Sequence, residues 1–177
     1  MGGAASTIAS MKRFAIILLC VVGVGILLRT QTNSGLYDVV EVFDGDTIAV
    51  AMAGRIEKVR LIGVDTPETK DPRKPVQCYG LEASTFSHSK LDHAKVRLVS
   101  DPLSTNRDRY DRLLRYVYLQ DGTLYNKQLL STGNARAYTG FAFTKSVEFT
   151  NAETLSKQQN SGLWASCNDA NTQSDAV

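Results

Sequence analysis

At 177 residues the chain holds one domain of ordinary size with tails, and is too short for two domains with separate cores. A content of 43% hydrophobic and 21% charged residues excludes a disordered or collagen-like polymer, and three cysteines exclude a disulfide-dense scaffold. The net charge of +2 hides an asymmetry: Lys12, Arg13 and Arg29 lie among the first 35 residues with no acid, so of 20 basic residues 17 remain to face 18 acids. Such a body lacks the polycation field that coats bulk duplex DNA, and must handle any nucleic acid through a local site.

Phe14–Leu28 is an uncharged apolar run of 15 behind Lys12-Arg13. Its length falls between a signal-peptide core and the roughly 17–25 residues of a spanning helix. No convincing small-x-small cleavage site follows, so the run reads as an uncleaved signal anchor. A cleaved signal peptide or a buried core helix is the alternative. The basic pair in front places everything after Leu28 outside the cytoplasm, with membrane contact through residues 14–28 and an exported, periplasmic or otherwise extracytoplasmic body. With Cys20 set aside in the apolar run, Cys78 and Cys167 either pair with each other or stay as buried thiols; a bridge would contribute roughly 2–4 kcal/mol.

From Tyr37 the pattern turns to short β-branched runs. Val39–Phe43 leads through Asp44-Gly45, a strong hairpin signal, into Thr47–Met52. Ala53-Gly54 turns the chain into Glu57–Val64, a third strand that reads as continuous. A Pro-rich loop, Thr66–Gln77, precedes a helix over 80–91 with helical spacing through Leu81, Phe86 and Leu91. Lys95–Ser100 and Leu113–Leu119 are the fourth and fifth strands, and helices are expected over Tyr125–Thr132 and Lys145–Gln159. The tail after residue 167 shows no core-forming periodicity and reads as disordered. The fold class is α+β: a five-stranded Greek-key barrel of the OB type over 36–167 with about three appended helices, after an N-terminal apolar helix.

Acids crowd into one stretch: Asp44, Asp46, Glu57, Asp65 and Glu68. Oxygen ligands without a usable His or Cys cluster suit a hard ion such as Ca²⁺ or Mg²⁺. Arg60 and Arg112 supply fixed positive charge suited to a phosphate whose negative charge grows in a transition state.

The segments DGDT, VRLIGVDTPETK, YGLEAS.F, DRYDRLLRYVY and GLW resemble the staphylococcal-nuclease family over roughly Tyr37–Cys167. The resemblance implies Asp46 and Asp65 as carboxylate ligands of Ca²⁺, with the Thr66 backbone carbonyl. It implies Glu68 as the general base that activates water, and Arg60 and Arg112 as the grip on the scissile phosphate. Arg109 and Tyr110 match positions touching a neighbouring phosphate, and Lys70 and Lys74 fall in the family's basic loop. The implied activity is cleavage of DNA or RNA to 3′-phosphate and 5′-hydroxyl ends.

Tyr138, Phe141 and Phe143 are candidates for stacking on a base without a unique match; such stacking favours single strands. Asp111 stands where the family pattern has Gly, which costs about 1 kcal/mol if φ is positive there. The expected protein is a monomeric, Ca²⁺-dependent nuclease of low sequence preference. The rival expectation is an OB-type module that binds single-stranded nucleic acid without cutting it.

Overall fold

The computed structural model describes residues 35–69 and 75–167. The apolar run 14–28, Lys70, Lys74 and the tail beyond 167 lie outside the described residues. Among those described, no helix is long and apolar enough to cross a membrane.

Five strands close into a barrel in the order β1-β2-β3-β6-β5: β1 Leu36–Val42, β2 Thr47–Met52, β3 Arg55–Leu61, β5 Lys95–Val99 and β6 Leu113–Tyr118. All ring pairs are antiparallel except β3–β6, which is parallel with Val59 opposite Leu113 and Arg60 opposite Leu114. In β1, Val39 and Val42 are both buried although an odd spacing puts residues on opposite faces of a regular strand. A register shift between Val39 and Glu41 resolves this: the extra residue is a bulge that returns both valines to the core. Ile48, Val50, Val59, Leu61, Val96 and Val117 fill the barrel, each almost completely buried.

Glu57–Val64 is not one strand. The ladder stops at Leu61, and the chain turns through Ile62-Gly63 and resumes as a short strand β4 (Val64–Asp65), paired with β7 (Arg136–Ala137). Gly63 has φ +73, and a Cβ there would sit 2.6 Å from the Phe143 ring, so only glycine admits both the turn and the ring. Asn126 spans the break: its Nδ2 donates to the Ile62 carbonyl (2.9 Å) and its Oδ1 accepts from the Val117 N–H (2.8 Å).

The helices are α1 (Gly80–Leu91), α2 (Tyr125–Ser131), α3 (Ser146–Gln158) and a single turn α4 (Leu163–Ser166), the last unforeseen. Helix α1 turns inward not the expected Leu81, which is exposed, but Gly80, Ala83, Ser87 and Leu91. Small residues on that stripe bring the helix close to the barrel. Phe86 stays half-buried, stacked on Tyr125 with ring centroids 6.4 Å apart. The Gly162 Cα lies hard against residue 133: an added Cβ would be 2.3 Å from the Gly133 carbonyl oxygen, which accepts from the Leu163 N–H at 2.9 Å. Beyond α4, Cys167 is disulfide-bonded to Cys78, 89 residues earlier.

Candidate active site

The turn between β1 and β2 places the first acids. The Asp46 N–H donates to Asp44 Oδ1 (3.0 Å), closing an Asx-type turn, while the Phe43 N–H donates to the Thr47 carbonyl (3.0 Å). Gly45 is obligatory between them, since a Cβ would fall 2.5 Å from Thr66 Cγ2. Below the turn, the Tyr125 hydroxyl donates to Ser87 Oγ (2.8 Å), and Ser87 Oγ reaches the Gly45 carbonyl at 3.4 Å, tying α1 and α2 to the acidic turn.

Asp46 is the hub. It is only 6% exposed, and its Oδ2 accepts the Thr66 N–H (3.0 Å) and meets Arg60 Nη1 at 2.6 Å. Its Oδ1 accepts the Thr47 hydroxyl at 3.1 Å. Arg60, opposite Thr47 in the β2–β3 ladder, also donates to the Val64 carbonyl and to Asp65 Oδ1, both at 2.9 Å. The break after Leu61 makes this possible: it folds Val64 and Asp65 back over the Arg60 guanidinium.

Arg112 enters from the turn before β6. Asp108 holds it through Nε and Nη2, both at 2.7 Å from Oδ2, and accepts the Arg112 N–H on Oδ1 at 3.0 Å. Burial opposes ionisation of Asp108, but these bonds and that from the Tyr110 N–H outweigh it and hold the carboxyl below its ordinary value. Arg112 Nη1 then reaches Thr47 Oγ1 at 3.4 Å, so Thr47 links the second arginine to Asp46. Asp111 has φ +63, as the departure from glycine implies, and Arg107 Nη1 donates to its carbonyl at 2.6 Å while Nη2 holds Glu57.

Asp44, Asp46, Asp65, Thr66, Glu68, Arg60 and Arg112 line one cavity of about 360 Å³, with Thr47, Pro67 and Gln77. A second, more apolar groove of about 600 Å³ shares Arg60, Asp65 and Arg112 and runs past Arg109, Tyr110, Leu103, Tyr138 and Phe141. Arg109 stacks over the exposed Tyr110 ring at 4.8 Å. Of the aromatic candidates, Tyr138 and Phe141 face this groove, whereas Phe143 is buried against Phe149.

The polar cavity sets four acids, Asp44, Asp46, Asp65 and Glu68, against two arginines, Arg60 and Arg112. Burial and the neighbouring Asp46 push the Asp44 carboxyl up to about 7. Asp65 is pushed up as well, by partial desolvation in the cavity and by Asp46, against the pull of Arg60, although its side chain stays 57% exposed. Carboxylates that oppose one another's ionisation are relieved by a hard divalent ion. Among the described residues, no three His, Cys, Asp or Glu side chains converge as a metal cluster by themselves. Asp46 and Asp65 supply two carboxylates, and a backbone carbonyl and water would have to complete the coordination shell.

Residues 58–166 match the family model described as staphylococcal nuclease homologue. The chain belongs to the staphylococcal nuclease family. It is similar to the thermonuclease of Staphylococcus hyicus, 46% identical over 108 residues that make up 61% of this chain and 62% of that protein. It is 33% identical over 145 residues to an uncharacterized protein of Methanocaldococcus jannaschii, covering 71% of this chain and 70% of the other. Endonuclease YncB of Bacillus subtilis is 40% identical over 124 residues, 69% of this chain and 58% of the relative. The chain thus spans under two thirds of the thermonuclease it matches. Asp108 and Gln77 were not singled out by sequence reasoning, because each acts through a contact that only the folded loops create.

Proposed function

We propose that the chain is a Ca²⁺-dependent phosphodiesterase that hydrolyses DNA or RNA with little sequence preference, favours single-stranded or melted regions, and leaves 3′-phosphate ends. One observation carries the reading: Asp46, Asp65 and Glu68 share a cavity with Arg60 and Arg112. Carboxylates repel phosphate, and a surface built only to hold nucleic acid gains nothing from setting them beside its arginines.

A scissile phosphate drawn between Arg60 and Arg112 meets charge that is already oriented, because Asp46, Asp65 and Asp108 fix both guanidiniums. Glu68 takes the proton of a water, whose oxygen bonds to phosphorus. The bond from phosphorus to the 5′ oxygen breaks, and that oxygen leaves with a proton from solvent. Bound by Asp46, Asp65 and the Thr66 carbonyl, Ca²⁺ would add Lewis-acid stabilisation of the phosphate charge. The groove past Tyr110 and Tyr138 offers two exposed aromatic side chains to unpaired bases.

That groove is also what favours the second reading, a single-strand-binding module without catalysis. An extracytoplasmic site of action follows from the basic pair before residues 14–28, and a bond between Cys78 and Cys167 suits an oxidising compartment.

The test incubates the full chain with denatured and duplex DNA, in Ca²⁺ and then in chelator. Ca²⁺-dependent cleavage leaving 3′-phosphate ends, faster on denatured DNA and lost by orders of magnitude in Glu68→Gln with the fold intact, is the expected result. Binding without cleavage would establish the module instead, and full activity in Glu68→Gln would sink the general-base role.

A further inference from the structure

We propose that Gln77 is a positioning residue for Glu68, and that the Cys78–Cys167 disulfide anchors it in that role. The proposal rests on the reading of Glu68 as the base. Gln77 grips residue 68 at both of its peptide groups: its Oε1 accepts the Glu68 N–H at 2.8 Å and its own N–H donates to the Glu68 carbonyl at 3.0 Å. The carboxylate beyond that clasp is oriented by the next amide, with the Thr69 N–H donating to Oε1 at 2.8 Å. A glutamate in a loop has backbone and side-chain freedom to lose before it can act. Here one residue removes much of the backbone share.

Gln77 needs a fixed seat to do this. Its carbonyl accepts the Gly80 N–H at 3.0 Å, and Gly80 packs so close to the base-bearing loop that a Cβ would lie 2.8 Å from Thr69 Cγ2 and 3.2 Å from the Glu68 oxygen. Between them, Tyr79 takes φ +66, a left-handed conformation unfavourable for a side chain of that size. A turn with such a residue relaxes unless its surroundings hold it. The hold is covalent: Cys78, next to Gln77, is bonded to Cys167, and that end of the chain is fixed through the Leu163 N–H bond to Gly133. The disulfide therefore restrains the residue that restrains Glu68.

The experiment measures kcat and KM on single-stranded DNA with Ca²⁺ for the full chain, Gln77→Met, Gln77→Glu, the double variant C78S/C167S alone and combined with Gln77→Met, and Glu68→Gln, with circular dichroism and melting on each. Gln77→Met keeps the length but loses the acceptor, and kcat should fall roughly ten- to a hundredfold with KM little changed. Gln77→Glu keeps the acceptor and should retain most of kcat. The double variant should lower kcat in the same sense, and its effect should be less than multiplicative when combined with Gln77→Met, because both act on one clasp. Parental kcat in a folded Gln77→Met would overturn the proposal, as would equal losses in Met and Glu. Glu68→Gln separates the two failures: parental activity there overturns the base reading, whereas an inactive Glu68→Gln beside a fully active Gln77→Met overturns only the clasp.

Discussion

Asp101, at the start of the loop leaving β5, offers a sharp test of how the helical half is joined to the barrel. Its side chain is buried and accepts four hydrogen bonds: the Leu103 N–H on Oδ1 (2.8 Å), and on Oδ2 the Tyr116 hydroxyl (2.6 Å), the Thr144 N–H (2.8 Å) and the Thr144 hydroxyl. Burial opposes its ionisation, but the bonds from Thr144, Tyr116 and Leu103 outweigh that and pull the carboxyl down to about 2. Against the ordinary carboxylate value this corresponds to roughly 2 kcal/mol of folding free energy. Asp101→Asn removes the charge and turns an NH₂ towards at least one donor, adding about 1 kcal/mol. The variant should therefore be about 3 kcal/mol less stable at pH 7, melting roughly 6–12 °C lower.

The pH dependence distinguishes the cause. A depressed carboxylate contributes in full above its unfolded value and loses that contribution as pH falls towards its folded one. The stability gap between parent and Asp101→Asn, from denaturant titrations, should thus shrink by roughly 2 kcal/mol between pH 5 and pH 2. A gap constant over that range would refute the assignment of the stabilisation to an ionised Asp101.

Three further outcomes follow from the site. Asp108→Ala releases the Arg112 guanidinium from its bidentate partner, and kcat should drop roughly tenfold to a hundredfold with the melting temperature lowered by only a few degrees; steady-state kinetics beside calorimetry checks this. Gly45→Ala puts a Cβ 2.5 Å from Thr66 Cγ2, so the acidic turn must move; a loss of about 1–3 kcal/mol in denaturant titration, with most of the activity gone, is expected. Asp111→Gly relieves a left-handed aspartate at φ +63 and gives up only an exposed 3.5 Å contact with Arg107, so the denaturation midpoint should rise by up to about 1 kcal/mol in stability.

The barrel was legible where local chemistry decides it. Asp44-Gly45 and Ala53-Gly54 announce their turns, and the short β-branched runs on either side announce the strands. The break at Ile62-Gly63 was not, because Glu57–Val64 keeps strand-like composition throughout and the reason for stopping, Phe143, arrives from 80 residues downstream. The motifs marked Asp46, Arg60, Asp65, Glu68 and Arg112, and the fold brings all five to one cavity. What holds them could not be read. Gln77 and Asp108 look like ordinary polar loop residues until the loops close on Glu68 and Arg112, and Asp101 looks like one until Thr144 is packed against it.

The parallel pairing of β3 with β6 has a consequence for tolerance to change. Arg60 lies within the β3 ladder opposite Leu114, and Arg112 lies two residues before that partner, so the distance between the bases of the two arginines is set by inter-strand spacing and register. It is a lattice dimension of the sheet. Loop changes that spare the Glu68–Gln77 clasp and the Asp101 bonds alter what the surface offers without altering that dimension. The spacing of the two arginines is therefore a property of the barrel, and only the loops around it are open to variation.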